Sequence, residues 1–107
     1  MDPRIQQVID LISNDLSRPL DLELVARSVN LSPSRLRHLF KNETTLTPAQ
    51  YLKRLRIASA KALLDETFLR LKEVMRRVGV TDESHFVKDF KKAYGLSPIK
   101  YRRRKSE

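Results

Sequence analysis

Two short stretches of this sequence carry hydroxyl, imidazole and basic side chains, which donate hydrogen bonds to phosphate oxygens and to base edges. The donors that we assign to base edges lie towards the start of each stretch and are Ser34, Arg37, His38, Ser84 and Lys88. Side chains of this kind recognise the acceptor atoms that bases present in the major groove. Lys41 and Lys91 follow later in each stretch, and we expect them to contact phosphates instead.

Each stretch is predicted to be an amphipathic helix with these donors on its outer side. Leu36 and Phe40 form the apolar face of the first helix, and Phe86 and Phe90 form that of the second. A rotation of 100° per residue places the donors opposite these faces or on their flanks. The outward residues of the first helix are Ser34, Arg35, Arg37, His38 and Lys41, and those of the second are Ser84, Lys88 and Lys91.

The two stretches belong to an internal repeat with an offset of 50 residues. Phe40 and Lys41 recur as Phe90 and Lys91, and the pattern Leu, Ser/Thr, Pro and Tyr at 46, 47, 48 and 51 recurs at 96, 97, 98 and 101. A repeated helical unit on a basic chain indicates two copies of a binding element. Duplex DNA, which is itself periodic, is the partner that this repetition favours.

Capping and helix-terminating residues predict where the helices begin and end. A capping residue precedes proline four times, at positions 2–3, 32–33, 47–48 and 97–98, and Asp21 and Asp82 are further predicted N-caps. Asn30, Gly79 and Gly95 tolerate the left-handed conformation that ends a helix. The predicted helices span residues 3–16, 22–29, 33–43, 48–66, 71–78, 83–94 and 98–104.

Two pairs of these helices are joined by tight turns, at residues 30–32 and 79–82. The sequence therefore predicts an all-α fold of seven helices, with helix-turn-helix subdomains at 1–46 and 68–107 and a long linker helix within 47–67. Together they would form one DNA-binding domain. A linker helix of about 28 Å is compatible with the spacing of about 34 Å between successive major-groove openings. Its predicted buried face contains Tyr51, Leu55, Ala58 and Ala62.

Composition favours nucleic acid as a partner and argues against catalysis. The net charge is +9, and residues 83–105 carry +6 of it. The chain has no cysteine, two histidines 47 residues apart and two glycines, which make a poor set for metal binding, nucleophilic catalysis or a phosphate-binding loop. We expect no enzyme activity, no cofactor, no metal and no membrane span. The lack of cysteine fits a cytoplasmic location.

The second repeat resembles the signature of the AraC/XylS family of bacterial transcription regulators. The resemblance rests on the run VGVTDESHF at residues 78–86, continuing through Phe90, Gly95, Ser97-Pro98 and Tyr101. The run SPSRL at 32–36 resembles the family's first helix-turn-helix, so the likeness covers about residues 3 to 103. It implies sequence-specific binding of double-stranded promoter DNA through recognition helices in adjacent major grooves, and contact with RNA polymerase.

Carried over by position, the family's base-contacting places fall on Ser34, Arg37 and His38, and on Glu83, Ser84 and Lys88. Glu83 is the residue that the resemblance adds. Val80 replaces a usual Phe and Met75 a usual small Ala, so the packing of the second turn is expected to differ. His85 stands where Tyr is common. Most members carry a further regulatory domain, so we expect this chain to be a fragment of a longer regulator rather than a short standalone one. We expect this domain to be monomeric, and dimerisation stays open for a parent protein.

Two other functions stay open at this point. A sequence-indifferent basic helical binder of nucleic acid would show a steep salt dependence with little preference among sequences. A protein–protein adaptor would use the basic face to bind an acidic partner. For the tail at residues 102–105, contact with phosphates and disorder are both open.

Overall fold

The computed structural model describes residues 1–105, which form seven helices and no strand. The helices are α1 (Pro3–Asn14), α2 (Leu22–Ser28), α3 (Pro33–Thr44), α4 (Pro48–Glu66), α5 (Leu71–Val78), α6 (Glu83–Tyr94) and α7 (Pro98–Lys105). The all-α prediction is confirmed, and the helix ends differ from the predicted ones by at most two residues. The largest difference is at α1, which ends before Asp15 because that residue is extended and its carboxylate accepts from Ser17.

The predicted N-caps hold the helix starts. Of the four capping residues before proline, Asp2 accepts from the Arg4 N–H at 2.8 Å, and Ser32 accepts from the Arg35 N–H at 3.1 Å. The equivalent bonds at Thr47 and Ser97, from residues 50 and 100, measure 3.2 and 3.4 Å. Asp21 and Asp82 cap α2 and α6 in the same way. Each cap satisfies a backbone N–H that has no partner within its helix.

The helix stops are left-handed residues, as predicted, with one addition. Asn30, Gly79 and Gly95 have φ values of 58°, 81° and 83°. Thr45 also has a positive φ, of 67°, which its β-branched side chain disfavours. Thr45 stands 50 residues before Gly95 in the repeat, and it ends α3 as Gly95 ends α6.

The chain divides into two compact units, residues 1–55 and residues 56 onward. In the first unit, α1, α2 and α3 bury one core, whose members are Ile5, Val8, Ile12, Ala26, Val29, Leu36 and Phe40. In the second unit, the end of α4 joins α5 and α6 around another core, whose members are Ile57, Ala60, Leu64, Val74, Met75, Val78, Phe86 and Phe90. Burial of these side chains is the main force that holds α3 and α6 in place.

The repeat is visible in the aromatic packing of both units. The rings of Phe40 and Tyr51 meet edge-on with centroids 5.4 Å apart, and those of Phe90 and Tyr101 do so at 5.6 Å. Such edge-to-face pairs contribute beyond the apolar area that they bury. The prediction that these four aromatic residues belong to the cores, and are not stacking platforms, agrees with this geometry.

The predicted buried face of α4 is wrong in part, because Ala58 is exposed. Tyr51 and Leu55 pack against the first core, whereas Ile57 and Leu64 belong to the second. A helix that contributes to two cores does not carry one continuous apolar stripe, and a single periodic face therefore does not describe it.

Candidate nucleic-acid interface

Helix α3 presents its polar residues to solvent and its apolar residues to the core. Leu36 and Phe40 are fully buried, at 0% exposure. The five predicted contact residues, Ser34, Arg35, Arg37, His38 and Lys41, are all exposed. The structure thus confirms the two faces that the 3.6-residue period predicts. Their contact with DNA stays a prediction.

The start of α3 is built to expose these donors. The Ser32 hydroxyl is occupied as an N-cap, and Pro33 takes the first helical position, where a missing N–H costs nothing. Ser34 and Arg35 follow in the first turn with their side chains in solvent. Residues near the start of a recognition helix are the ones that usually reach base edges.

Asn42 is a candidate that the sequence analysis missed. Its side-chain amide lies 3.3 Å from Nε2 of His38, one helical turn earlier, and the residue is exposed. An amide carries both donors and an acceptor, and can orient the imidazole or bond an adenine edge itself. The sequence could have indicated this contact, because residues four apart, such as His38 and Asn42, are neighbours on the surface of a helix.

Helix α6 repeats the arrangement with a different chemistry. Phe86 and Phe90 are 2% and 0% exposed, and the predicted contact residues Glu83, Ser84, Lys88 and Lys91 are all exposed. Asp82 caps the helix by accepting from the His85 N–H at 3.0 Å. Both helices expose an imidazole, from His38 and His85, but α3 adds guanidinium and amide groups, whereas α6 adds the Glu83 carboxylate and lysines.

The basic tail is partly structural. Arg102 donates to the backbone carbonyls of Leu64 at 3.3 Å and Thr67 at 3.2 Å, and also to that of Leu69. The bond to Leu64 satisfies a carbonyl in the last turn of α4, which a helix leaves without a partner, and the other two hold the loop that follows α4. Residues 102–105 are helical, so disorder, which was left open for this tail, does not apply to them. Arg102 is engaged within the fold, and contact of the tail with phosphates stays a prediction.

A charged cluster ties α7 to α4 within the second unit. Lys61 and Lys105 lie 3.5 and 3.3 Å from the carboxylate oxygens of Asp65. Burial acts to raise the pKa of Asp65, but hydrogen bonds from Tyr101 and Lys105 outweigh it and hold the pKa below its ordinary value. The Lys61 ammonium also stands 5.6 Å from the ring centroids of Tyr94 and Tyr101. This cluster stabilises the unit and lies outside the predicted contact residues.

No helix among the described residues is long and apolar enough to cross a membrane. The same part of the chain holds no group of three or more His, Cys, Asp or Glu residues arranged to bind a metal ion.

The fold and the two exposed donor faces define a helix-turn-helix protein, and comparison with known proteins agrees. A family profile described as "Helix-turn-helix domain" matches residues 25–104. The chain belongs to the AraC/XylS family and corresponds to its DNA-binding domain. The resemblance seen in the sequence is therefore confirmed.

Two curated relatives illustrate the similarity. The chain is 38% identical to the arabinose operon regulatory protein of Escherichia coli (strain K12) over 103 residues, which are 95% of this chain and 35% of that protein. It is 35% identical to the lactose operon transcription activator of Staphylococcus xylosus, over 92% of this chain and 35% of that protein. The chain spans about a third of the length of these relatives. They are named as regulators, which supports the prediction that the chain is not an enzyme.

Solved structures show the same fold. The C-terminal domain of AraT, a response regulator from Geobacillus stearothermophilus, matches with a TM-score of 0.86 and 35% identity over 95% of this chain and 85% of that one. The DNA-binding domain of AdpA, solved in complex with a target DNA, matches with a TM-score of 0.85 and 25% identity over 92% and 89%.

Proposed function

We propose that this chain binds specific double-stranded promoter DNA and thereby regulates bacterial transcription. The observation that carries the proposal is the repeated helix-turn-helix, in which α3 and α6 each bury one face and expose hydrogen-bond donors on the other. The related AdpA domain, solved with its target DNA, supports the same use of the fold. The net charge of +9 favours the approach to a polyanion.

The proposed roles differ along each helix. On α3, Ser34, Arg37 and His38 contact bases, Arg35 contacts DNA from the flank, and Lys41 binds phosphate. On α6, Glu83, Ser84 and Lys88 contact bases and Lys91 binds phosphate. For the donors this assignment follows from exposure, position in the helix and hydrogen-bonding chemistry. Glu83, an acceptor, is assigned from the resemblance to the family and from its exposure.

The proposed organisation is two subdomains, residues 1–46 and 68–107, with the linker helix in residues 47–67. The 19 residues of α4 correspond to about 28 Å. That length supports the entry of α3 and α6 into adjacent major-groove openings, which recur about every 34 Å along one face of DNA.

The proposed setting is the bacterial cytoplasm, where promoter DNA and RNA polymerase are found. We propose that the domain binds DNA as a monomer, and that RNA polymerase is the partner through which it affects transcription. The bacterial regulators that it resembles support this setting.

Selection from a random duplex pool of about 30 bp at roughly physiological salt, where non-specific binding is weak, tests the proposal. We expect enrichment of two short motifs about one helical turn apart. A single motif would leave base recognition to one unit only. No enrichment, together with a steep salt dependence on every duplex, would favour the sequence-indifferent binder that the net charge also permits.

A further inference from the structure

Phe68 is fully exposed, in the loop of residues 67–70 between α4 and α5. Its side chain has a relative exposure of 103%, whereas the other exposed large apolar residues among residues 1–105 lie between 50% and 67%. A single exposed leucine or methionine is ordinary on a protein surface. A fully exposed aromatic ring leaves a larger apolar area in water than those side chains do, at a higher cost in free energy. Aromatic residues are also enriched among the side chains that dominate protein–protein binding.

The loop that carries Phe68 is held in place on both sides. The Thr67 hydroxyl donates to the Leu63 carbonyl at 2.6 Å, and the same oxygen accepts from the Leu69 N–H at 3.3 Å. Arg102 binds the carbonyls of Thr67 and Leu69. The residues before and after Phe68 are therefore fixed by hydrogen bonds.

Because the backbone is already fixed, a partner that binds this loop loses less free energy in ordering it. The Arg70 N–H also donates to the Glu73 carboxylate at 3.3 Å, which closes the far end of the loop. Preorganised loops bind more tightly than mobile ones for the same contacts. Phe68 is thus presented in the manner of a binding anchor.

A shallow cleft of about 420 Å³ lies beside Phe68, and a partner segment would bind there. Its lining combines apolar groups with one charge of each sign, from Thr67, Phe68, Leu69, Glu73 and Arg77. Leu69 packs against the second core, so the floor of the cleft rests on the folded unit.

Charge near the cleft selects an acidic partner. The lining itself carries one charge of each sign, but the exposed side chains of residues 66–77 are net positive, with Arg70, Lys72, Arg76 and Arg77 against Glu66 and Glu73. The Glu73 carboxylate already accepts from the Arg70 N–H. Opposite charge steers association, and like charge opposes it. A second copy of the chain, with a net charge of +9, is disfavoured for this reason. A nucleic-acid backbone would satisfy the charge but offers no apolar surface for the Phe68 ring.

We propose that Phe68 and its cleft form a docking site for an acidic, apolar segment of a partner protein. The segment would place an aliphatic side chain against Phe68 and Leu69, and a carboxylate against Arg77. This contact goes beyond DNA binding and does not depend on it.

Binding of synthetic peptides, followed by fluorescence anisotropy without DNA, tests the site. The probe is a labelled amphipathic peptide of about 18 residues, long enough to form a helix, with a leucine face and a glutamate face. A twin peptide carries lysine in place of each glutamate. We expect the full chain to bind the glutamate peptide and not the lysine twin. Phe68→Ser should weaken that binding at least tenfold, on the order of a binding hot spot.

Leu24→Ser is the matched control, because it removes another exposed apolar side chain, 55% exposed, from the other unit. It should leave peptide affinity unchanged, and both variants should melt like the wild type. Arg77→Glu should lower affinity for the glutamate peptide and raise it for the lysine twin. Equal binding by wild type and Phe68→Ser would overturn the proposal.

Two further outcomes would reassign the surface and equally overturn the proposal. Full displacement of the bound peptide by a random-sequence duplex would assign the cleft to nucleic acid. Sedimentation that shows a dimer lost in Phe68→Ser would assign it to a second copy of the chain. Persistence of a Phe68-dependent peptide complex beside a monomeric protein supports the docking site.

Discussion

Thr45 adopts the same left-handed backbone conformation as Gly95, 50 residues later, with φ of 67° against 83°. Thr45 ends α3 and Gly95 ends α6. Each donates its N–H to the carbonyl four residues earlier, Thr45 to Lys41 at 2.8 Å and Gly95 to Lys91 at 2.7 Å. The geometry of the repeat is thus kept where the residue types differ. A β-branched residue in this conformation carries strain that glycine does not.

Thr45→Gly should therefore stabilise the protein. Relief of the left-handed strain contributes about 1–2 kcal/mol, and the greater freedom of glycine in the unfolded chain removes part of that gain. We expect a net increase of up to about 1 kcal/mol in the free energy of unfolding, measured by urea titration.

Gly95→Thr is the reciprocal control. A Cβ added at Gly95 would meet no atom within 4 Å, so the cost of this change is conformational rather than steric. It should lower the free energy of unfolding by about 1–2 kcal/mol. Opposite signs for the two changes are expected, and a loss of stability in Thr45→Gly would contradict the strain at that position.

Arg102→Ala should destabilise the second unit. The change removes hydrogen bonds to the carbonyls of Leu64, Thr67 and Leu69. Partly buried carbonyls left without a partner cost about 1–3 kcal/mol. Thermal and urea unfolding measure the loss.

Two variants separate geometry from charge at this position. Arg102→Lys keeps the charge but lacks the planar fork that binds several carbonyls at once, so it should behave like the alanine variant. Arg104→Ala removes an exposed arginine of the same helix and should change stability little. If Arg102→Lys restored full stability, charge and not carbonyl binding would explain the role of Arg102.

The hydrogen bonds and ion pairs of Asp65 should make stability depend on pH. Its pKa in the folded protein lies below the ordinary value, so the folded state favours the ionised carboxylate. Such a group contributes stability above its unfolded pKa of about 3.9, and this contribution is lost as the pH falls through the folded pKa. Asp65→Asn should therefore be less stable than wild type at pH 7, with a difference that shrinks below about pH 4.

Urea unfolding at several pH values measures that difference. Glu66→Gln removes the neighbouring exposed carboxylate and serves as the charge-matched control. It should not reproduce the pH-dependent gap. A gap between wild type and Asp65→Asn that stayed constant down to strongly acid pH would rule out the contribution of Asp65.

Much of the fold could be predicted from local sequence. Capping residues, proline and left-handed stops mark the helix ends through interactions within a few residues. Ala58 and Thr45 could not be predicted in this way. Ala58 is exposed because α4 contributes to two cores, and Thr45 takes a left-handed conformation that its β-branched side chain disfavours.

For the candidate interface, the sequence predicts which residues face outward but not every contact within the fold. Periodicity was enough to place Arg37 and Lys88 on outward faces, because burial of Phe40 and Phe90 fixes the rotation of each helix. The role of Arg102 depends on the approach of α7 to the end of α4, which no spacing in the sequence indicates. Its repeat counterpart, Leu52, gives no hint of that role.

Glu83→Gln should change base preference at one position of the DNA site. The Glu83 carboxylate is exposed in the first turn of α6 and can only accept hydrogen bonds, which suits the amino group of cytosine. Glutamine both donates and accepts, which suits adenine. Selection from the random duplex pool with each protein measures the change. Identical motifs from both would remove Glu83 from the base contacts, and a loss of all enrichment in both would instead count against DNA recognition as a whole.

Arg37→Ala and Lys41→Ala should weaken DNA binding in different ways, since one contact is proposed to a base and the other to phosphate. Both side chains are exposed on α3, so neither change should alter the unfolding temperature. Arg37→Ala should cost about 1–3 kcal/mol on the selected site and relax the preference at one base pair. Lys41→Ala should weaken all duplexes alike and reduce the slope of log affinity against log salt by about 1.

Affinities for the selected and a scrambled duplex, measured over a series of salt concentrations, separate the two effects. A sequence-selective loss in Lys41→Ala would show that Lys41 contacts a base, and a uniform loss in Arg37→Ala would place Arg37 on the phosphate backbone.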